Sequence, residues 1–262
     1  MLNFMKKIAI VTGASSGIGK EFFLSLNEKQ NQIDEIWVVA RSEDKLLSLQ
    51  SLTPIPLRVF ALDLSSPQAI SVLEKALKDE NPILQYLICA SGFGRFCAVE
   101  EDDRAVLENM LDLNCRAILS LTRIAIDYTQ EDSVIMLIAS VAAFQPIPYV
   151  ATYGASKAFV LSYGRALNKE LRKAKKGRCL CVCPFWTKTA FFDRAVTEKA
   201  VVKKYVAMYE PKQIVKKAWK DLKKKHRDFS MYGFKAKAQT LLVKLFPHKI
   251  IMNVWLGQQK LK

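Results

Sequence analysis

After its first apolar run, the sequence reads T-G-A-S-S-G-I-G from Thr12 to Gly19. Residues 6–12 have the composition of a buried strand, and the segment from Gly17 to about Gln30 reads as a helix. Small residues at such a junction let the backbone turn sharply towards a pyrophosphate, whose charge is stabilised by the amides at a helix N-terminus. An ordinary glycine-rich turn is the alternative interpretation. The stretch predicts a dinucleotide-binding turn formed by Thr12, Gly13, Ser15, Ser16, Gly17, Ile18 and Gly19.

Apolar segments of strand length alternate with longer helical segments through most of the chain. Strands that are apolar on both faces and separated by helices are typical of a parallel sheet covered on both sides. Right-handed crossovers then give an α/β fold, a Rossmann-like doubly wound parallel sheet of about seven strands. We expect a single domain over residues 1–232 and a basic C-terminal helical extension over 233–262, packed on the domain or projecting from it. The predicted strands are 6–12, 35–40, 57–62, 84–90, 133–140, 178–183 and, more weakly, 228–232.

The charge of the chain is concentrated at its C-terminal end. The 262 residues are 50% apolar and 25% charged, which argues against disorder, collagen-like repeats and disulfide scaffolds. The net charge is +15, and residues 199–262 hold 17 Lys and Arg against 3 Asp and Glu, whereas residues 1–198 hold 23 against 22. We therefore expect any anionic partner to contact the C-terminal quarter.

Three partners fit such a basic segment: an anionic membrane surface contacted peripherally, an acidic acyl carrier or CoA thioester, and a second copy of the chain. A merely solvated charged face is the alternative. Nucleic acid is not expected, because few aromatic residues are interleaved with the lysines and no nucleic-acid motif occurs.

The six cysteines form no Cys-x-x-Cys pair, and no histidine accompanies them, so no metal site is expected. Cys179, Cys181 and Cys183 alternate within an apolar run and would share one face of a buried strand. No signal peptide is visible at the start, and the longest near-apolar stretch, 134–144, is too short to span a bilayer. We expect a cytoplasmic location, with or without a peripheral membrane contact.

The end of the second predicted strand bears on cofactor choice. An acidic residue there would bind the ribose 2′-hydroxyl of NAD, whereas an arginine can pair with the 2′-phosphate of NADP. The chain has Ala40-Arg41-Ser42 at this point, with no acid, so Arg41 and Ser42 favour NADP over NAD. Asp63 ends the third strand and either accepts a hydrogen bond from the adenine amino group or caps the following helix.

Four residues are candidates for proton transfer. Tyr153 and Lys157 are four apart in a predicted helix and share one of its faces. A phenol with a pKa of about 10 is a poor acid at neutral pH, and we expect the neighbouring ammonium group to lower that pKa. Ser140 ends the fifth strand, at the sheet edge where such folds bind ligands, and can orient a substrate carbonyl. Asn114 can hold a water that links Lys157 to solvent. Each residue also has an ordinary structural interpretation, and only their combination is specific.

From about residue 6 to 232 the chain resembles the short-chain dehydrogenase/reductase family, in its NADP-preferring form. The matching motifs are Thr12–Gly19, the Y-x-x-x-K of Tyr153 and Lys157, the upstream Ser140, and Asn114. The resemblance implies that Tyr153 is the acid in ketone reduction and the base in alcohol oxidation, that Lys157 also binds the nicotinamide ribose, and that hydride passes between nicotinamide and substrate. The cofactor site that we predict also includes Leu64, Ser91, Gly92, Tyr153, Lys157, Pro184, Thr187 and Thr189.

Two motifs depart from the family pattern. Cys89-Ala90-Ser91-Gly92 stands where the family usually has Asn-Asn-Ala-Gly, which removes a structural asparagine but keeps Gly92. Pro184-Phe185 stands where the family has Pro-Gly, so Phe185 can reshape the wall around the nicotinamide. Neither change removes a catalytic group.

The loops at the carboxyl edge of the sheet are rich in apolar and aromatic residues, and such loops carry substrate specificity in this fold. They favour an apolar secondary alcohol or ketone, such as a steroid or bile acid; an acyl thioester reductase acting on 3-oxoacyl groups is the enzymatic alternative. A catalytically silent, NADP-sensing partner protein is the alternative from another class. The family commonly pairs through the helices around Asn114 and Tyr153, which implies a homodimer or homotetramer. The predicted substrate contacts are Phe93, Phe144, Tyr149, Trp186, Phe191 and Phe192.

Overall fold

The computed structural model describes residues 5–202 and 204–261. Residues 1–4, 203 and 262, which the predicted domain boundaries include, lie outside that description. The described chain forms a seven-stranded parallel sheet in the order β3-β2-β1-β4-β5-β6-β7, with helices on both faces. The predicted doubly wound α/β fold is therefore confirmed. The strands are β1 (Lys7–Thr12), β2 (Glu35–Ala40), β3 (Leu57–Ala61), β4 (Ile83–Cys89), β5 (Val134–Ile138), β6 (Arg178–Val182) and β7 (Phe229–Ser230).

The helices begin and end near the signals that the sequence gives. At α3, the Ser66 hydroxyl accepts a hydrogen bond from the amide of Gln68, Pro67 occupies the first helical turn, and Asn81 ends the helix in a left-handed conformation. The described helices are α1 (Gly17–Ser25), α2 (Glu43–Leu47), α3 (Pro67–Glu80), α4 (Arg104–Leu111), α5 (Ala117–Ala125), α6 (Ala151–Lys173), α7 (Phe191–Ala195), α8 (Pro211–Leu222), α9 (Phe234–Leu245) and α10 (His248–Gln259).

Each face of the sheet has its own apolar core, because successive strand residues point to opposite sides. In β1, Ile8 and Ile10 belong to one core, and Ala9 and Val11 to the other. The three alternating cysteines of β6 and its end are buried together on the first face, as their spacing predicts. All seven described strands end at the carboxyl edge of the sheet, where the segments that follow them form the candidate site.

Two features add detail to the sequence-based expectations. Across 103–128, where the sequence predicts helices, a π-helical turn at Asp112–Arg116 separates α4 from α5. The region beyond residue 233 forms two helices that lie against the same edge of the sheet: the indole nitrogen of Trp255 donates a 3.0 Å hydrogen bond to the carbonyl oxygen of Pro148. Within the two described ranges, no helix is long and apolar enough to cross a membrane.

Candidate active site

A cavity of about 420 Å³ opens at the carboxyl edge of the sheet. Its walls come from the turn after β1, from the ends of the central strands, and from α6, α7, α9 and α10. Most of the predicted site residues line this cavity. Those residues are Gly13, Ser15, Ser16, Gly17, Ile18, Gly19, Arg41, Ser42, Asp63, Leu64, Ser91, Gly92, Phe93, Ser140, Tyr153, Lys157, Pro184, Trp186, Thr187, Thr189, Phe191 and Phe192.

The glycine turn has a backbone that side chains would obstruct. Gly13 and Gly17 have φ angles of 66° and 57°, in the left-handed region that favours glycine. A Cβ atom at Gly19 would lie 2.2 Å from the carbonyl oxygen of Gly13. Ser16 precedes α1 without a side-chain capping hydrogen bond, so the amides of the first helical turn remain directed towards the cavity edge. The turn is thus a concave, amide-lined surface of the kind that holds phosphate groups.

Thr12 belongs to the turn motif but does not line the cavity. Its hydroxyl oxygen accepts hydrogen bonds from the amides of Ala90 and Ser91, at 3.1 and 3.2 Å. These bonds join the end of β1 to the segment that follows β4, so Thr12 shapes the site without facing it. The expectation that Thr12 contacts the cofactor is corrected to this positioning role.

Cations gather where β2 ends. Arg41 and Lys45 line the cavity from this side, and Arg194 reaches it from α7 on the other side. The guanidinium carbon of Arg194 lies 3.7 Å from the centre of the Phe93 ring, a cation–π contact that fixes its position. Burial, and then the neighbouring Arg41, lower the pKa of Arg194. Arg194 could not be predicted from the sequence, because only the fold brings it near Arg41, whereas Lys45 lies just four residues after Arg41 and was not among the predicted site residues.

Asp63 faces these cations. Burial opposes its ionisation, but hydrogen bonds from Ser65 and the charges of Arg41 and Arg194 outweigh that effect, so its pKa lies below its ordinary value. Its Oδ1 atom accepts from the Ser65 amide at 3.0 Å and hydroxyl at 2.7 Å. The N-cap of α3 is Ser66, so Asp63 is not the helix cap that one interpretation proposed.

Ser140, Tyr153 and Lys157 meet at the centre of the cavity. The Ser140 hydroxyl accepts a 3.1 Å hydrogen bond from the amide of Ala142, and its interaction with Tyr153 favours ionisation of the phenol. The Nζ atom of Lys157 donates a 2.8 Å hydrogen bond to the carbonyl oxygen of Ile138 and lies 5.7 Å from the centre of the Tyr153 ring. The expected lowering of the phenol pKa by Lys157 is wrong for this structure: burial raises the pKa of Tyr153 to about 12, and the interaction with Ser140 only opposes it.

Lys157 is itself buried, with 4% of its surface exposed. Burial lowers the pKa of its ammonium group to about 8, because a charged group is less stable away from water. At neutral pH the phenol is therefore protonated, and most Lys157 side chains remain charged. The pair can hold one transferable proton beside one fixed positive charge.

Asn114 acts behind the cavity wall. It lies in the π-helical turn between α4 and α5, is fully buried, and does not line the cavity. Its Oδ1 atom accepts from the amide of Phe93 at 3.1 Å, and its Nδ2 atom donates to the Phe93 carbonyl at 2.9 Å and to Ser156 at 3.0 Å. These hydrogen bonds give Asn114 a positioning role for the segment after β4, and its water-holding role stays a prediction.

Gly92 fills the narrow gap between Asn114 and Lys157. A Cβ atom at this position would lie 2.9 Å from Oδ1 of Asn114 and 3.3 Å from Nζ of Lys157. A larger side chain would therefore displace one of the two. This close approach leaves room only for glycine at position 92, whereas the three preceding residues, Cys89 to Ser91, depart from the family pattern.

Aromatic side chains form the outer half of the cavity. The rings of Tyr153 and Phe191 lie 5.3 Å apart, and Phe96 packs edge-on against Trp186 at 5.8 Å. Trp255 of α10 closes the far side of the cavity, together with three further residues outside the predicted set. Those residues are Val206, Gln239 and Gln258.

Two predicted substrate contacts lie elsewhere. The ring of Phe144 packs against Phe229, with ring centres 5.7 Å apart, and does not line the cavity. Tyr149 has a φ angle of 63°, and its side chain does not line the cavity either. Both residues come from the loop between β5 and α6, whose inward positions are taken by Ile147 and Val150.

Several proteins of known sequence resemble the chain. It is 30% identical over 181 residues to a very-long-chain 3-oxoacyl-CoA reductase of Meyerozyma guilliermondii, covering 63% of this chain and 52%, about half, of the reductase. It is 28% identical over 175 residues to an uncharacterized oxidoreductase of Staphylococcus epidermidis, covering 66% of this chain and 75% of that protein.

Solved structures share the fold at lower identity. A short-chain dehydrogenase from Sphingobium yanoikuyae in complex with NADPH has a TM-score of 0.74 at 22% identity, covering 90% of this chain and 92% of that one. A bulky-bulky ketone specific alcohol dehydrogenase from Comamonas testosteroni has a TM-score of 0.71 at 21% identity, covering 92% of each chain. A family model described as short chain dehydrogenase matches residues 7–200. The chain therefore belongs to the short-chain dehydrogenase family of oxidoreductases.

Proposed function

We propose that this chain is an NADPH-dependent reductase that converts an apolar ketone to a secondary alcohol. One observation carries the proposal: a single cavity joins the glycine turn, the Ser140–Tyr153–Lys157 cluster and an aromatic wall. A nucleotide bound along the turn leaves the catalytic cluster between it and the apolar half. The turn, the proton donor and the substrate wall thus serve one reaction.

The residues present fit a nicotinamide dinucleotide. The concave turn, which a Cβ at Gly19 would obstruct, receives the pyrophosphate. Asp63 and Leu64 receive the adenine, and Tyr153 and Lys157 hold the nicotinamide ribose. The remaining wall on the nicotinamide side consists of Ser91, Gly92, Pro184, Thr187 and Thr189.

The charge of the cavity favours NADP over NAD. The β2 end presents Arg41, with Ser42 and Lys45 beside it, and Arg194 lies opposite. Among the described lining residues Asp63 is the only acid, and it comes from the end of β3, outside the β2 position that selects for a free ribose hydroxyl. A 2′-phosphate would meet guanidinium donors from two sides, which is a strong arrangement for phosphate.

The catalytic cluster supplies and controls the proton. Tyr153, protonated at neutral pH because its pKa is about 12, donates its phenolic proton to the substrate carbonyl oxygen. Ser140 donates a hydrogen bond to the same oxygen, and the ammonium group of Lys157 stabilises the phenolate that remains. When bound, the reduced nicotinamide supplies the hydride that the carbonyl carbon receives. The protonated resting phenol favours reduction as the direction for which the site is prepared.

Two substrate classes fit the aromatic half of the cavity. A steroid or bile acid would lie between Trp186, Phe191 and Trp255, because flat apolar rings stack on aromatic side chains. A long-chain 3-oxoacyl thioester is the second candidate, and its support is the similarity to very-long-chain 3-oxoacyl-CoA reductases. The basic C-terminal quarter would suit the phosphates of a CoA group.

The experiment is a substrate panel followed by NADPH absorbance: steroids, bile acids, 3-oxoacyl-CoA esters and small polar ketones, each with the wild type and Tyr153→Phe. We expect turnover of at least one apolar class and its loss in the variant. Faster turnover of small polar ketones would contradict the substrate assignment. NADPH binding without turnover of any class would instead support the silent, NADP-sensing alternative.

A further inference from the structure

The two C-terminal helices expose an apolar surface to solvent. Eighteen large apolar side chains are exposed in the described chain, and seven of them fall within the 21 residues from 234 to 254. Phe234 is 84% exposed and Leu245 67% exposed. Such a concentration on one surface marks an interaction site, whereas single exposed apolar residues do not. We call this surface the C-terminal apolar face: Phe234, Leu241, Leu242, Leu245, Phe246, Ile250 and Val254.

Helical spacing aligns these side chains. In α9, Phe234, Leu241 and Leu245 are separated by seven and four residues, so they form one stripe along the helix. The opposite side of α9 is buried against the rest of the protein. In α10, Ile250 and Val254 are also exposed, at a spacing of four that places them on one side of that helix. The buried side of α9 consists of Ala236, Thr240 and Val243.

Lysines flank the apolar stripe. On the α9 surface, Lys237 and Lys244 lie seven residues apart on one flank, and Lys235 lies on the other flank; Lys249 follows at the start of α10. All four side chains are exposed. Residues 234–262 contain six lysines and no aspartate or glutamate. An apolar stripe with cationic flanks is the arrangement of helices that lie in a lipid interface, with lysine stems along the apolar surface and ammonium groups at the phosphates.

We propose that the C-terminal apolar face docks on an anionic lipid bilayer. The charges make a second copy of the chain a poorer occupant, because two such faces would bring cationic flanks together without any acid between them. Anionic lipid supplies both the apolar phase and the opposite charge. Docking does not depend on the proposed reaction.

The placement also connects the membrane to the cavity, and this connection rests on the proposed function. The inward sides of α9 and α10 contribute Gln239, Trp255 and Gln258 to the cavity wall, while their outer sides form the C-terminal apolar face. A bilayer under these helices lies next to the aromatic half of the site. An apolar ketone then reaches the cavity from lipid without crossing water.

The test is flotation with vesicles of phosphatidylcholine alone and of phosphatidylcholine mixed with phosphatidylserine. One variant carries Phe234→Ser, Leu241→Ser and Leu245→Ser; a second carries Lys237→Gln, Lys244→Gln and Lys249→Gln. The control carries Leu47→Ser and Val72→Ser, which change exposed apolar residues of α2 and α3.

We expect the wild type and control to bind the anionic vesicles and to bind neutral ones far more weakly. Partitioning onto anionic vesicles should fall roughly fivefold for each lysine replaced in the lysine variant. In the apolar variant, partitioning should fall at least about tenfold in total. Circular dichroism and NADPH affinity, unchanged in both variants, establish that they fold.

Docking would be overturned if the wild type does not bind anionic vesicles, or if the apolar variant binds them as strongly as the wild type does. It would also be overturned if light scattering finds a changed oligomeric mass for the apolar variant, because the C-terminal apolar face would then contact a second copy of the chain. Capture of an acidic protein with no vesicle binding would likewise refute it. Turnover of a water-soluble apolar ketone, measured for all variants, separates the docking proposal from the proposed function. Turnover persists if only docking is wrong, and it is absent if only the proposed reaction is wrong.

Discussion

Replacing Lys157 with methionine should remove the free-energy cost of burying a charged ammonium group in the catalytic site. The side chain is 4% exposed, and burial lowers its pKa from 10.5 to about 8. The unfolded chain therefore binds the lysine proton more tightly than the folded chain does. Below pH 8 both states carry the proton, and burying the charge costs about 3 kcal/mol, from roughly 1.4 kcal/mol per pKa unit.

The cost has a definite pH dependence. Between the two pKa values the folded protein has released the proton and the unfolded chain has not, so wild-type stability rises with pH through this window. At pH 10 the remaining cost is below about 1 kcal/mol. The Lys157→Met variant lacks the titration, although it also leaves the Ile138 carbonyl without its 2.8 Å donor, at about 1–3 kcal/mol.

The assay is urea unfolding of wild type and variant at pH 7 and pH 10. The free energy of unfolding of the variant, relative to wild type, should fall by about 2–3 kcal/mol as the pH rises, because all other groups titrate in both proteins. Lys169→Met, at an exposed position of the same helix, is the matched control and should show no such change. A difference that is independent of pH would refute the buried-ammonium account of Lys157.

Three further outcomes follow from contacts in the site. Tyr153→Phe should lower kcat by roughly 10²–10⁴-fold, the usual loss of a general acid, while fluorescence titration finds NADPH affinity within a few-fold of wild type. Arg194→Ala should weaken NADPH binding about tenfold or more and leave NADH binding nearly unchanged; equal losses would place Arg194 away from the 2′-phosphate. Asn114→Ala should reduce the free energy of unfolding by about 1–3 kcal/mol, measured in urea, since both backbone groups of Phe93 lose their partner.

The fold was predictable because its signals are local. A strand such as β2, Glu35–Ala40, is an apolar run bounded by polar residues, and the structure has the predicted bounds. The break between α4 and α5 was not predictable in the same way, because a single π-helical turn around Asn114 hardly changes the helical periodicity. The course of α10 depends on contacts with residues far away in the sequence, such as the hydrogen bond between Trp255 and Pro148, which are 107 residues apart.

In the candidate site, too, the residues of local motifs were predictable and those brought together by the fold were not. The glycine turn and the Tyr153–Lys157 pair are short motifs, so the sequence contains them whole. Arg194 and Trp255 reach the cavity only through the fold, and no spacing connects them to Arg41 or Tyr153. The direction of the shift in the Tyr153 pKa could not be predicted for a related reason. Helical spacing shows only that a lysine is near, whereas burial dominates the pKa and depends on every neighbouring element.

The central claim is that one cavity binds NADPH and passes its hydride to an apolar ketone under proton donation by Tyr153. The most direct measurement is a single turnover with NADPH carrying deuterium at C4, with mass spectrometry of the product. We predict one deuterium on the carbinol carbon of the alcohol for each NADPH consumed, with the labelled alcohol formed roughly 10²–10⁴-fold more slowly by Tyr153→Phe. Failure of the purified chain to bind NADPH, or alcohol formed without deuterium from either face of C4, would contradict the account.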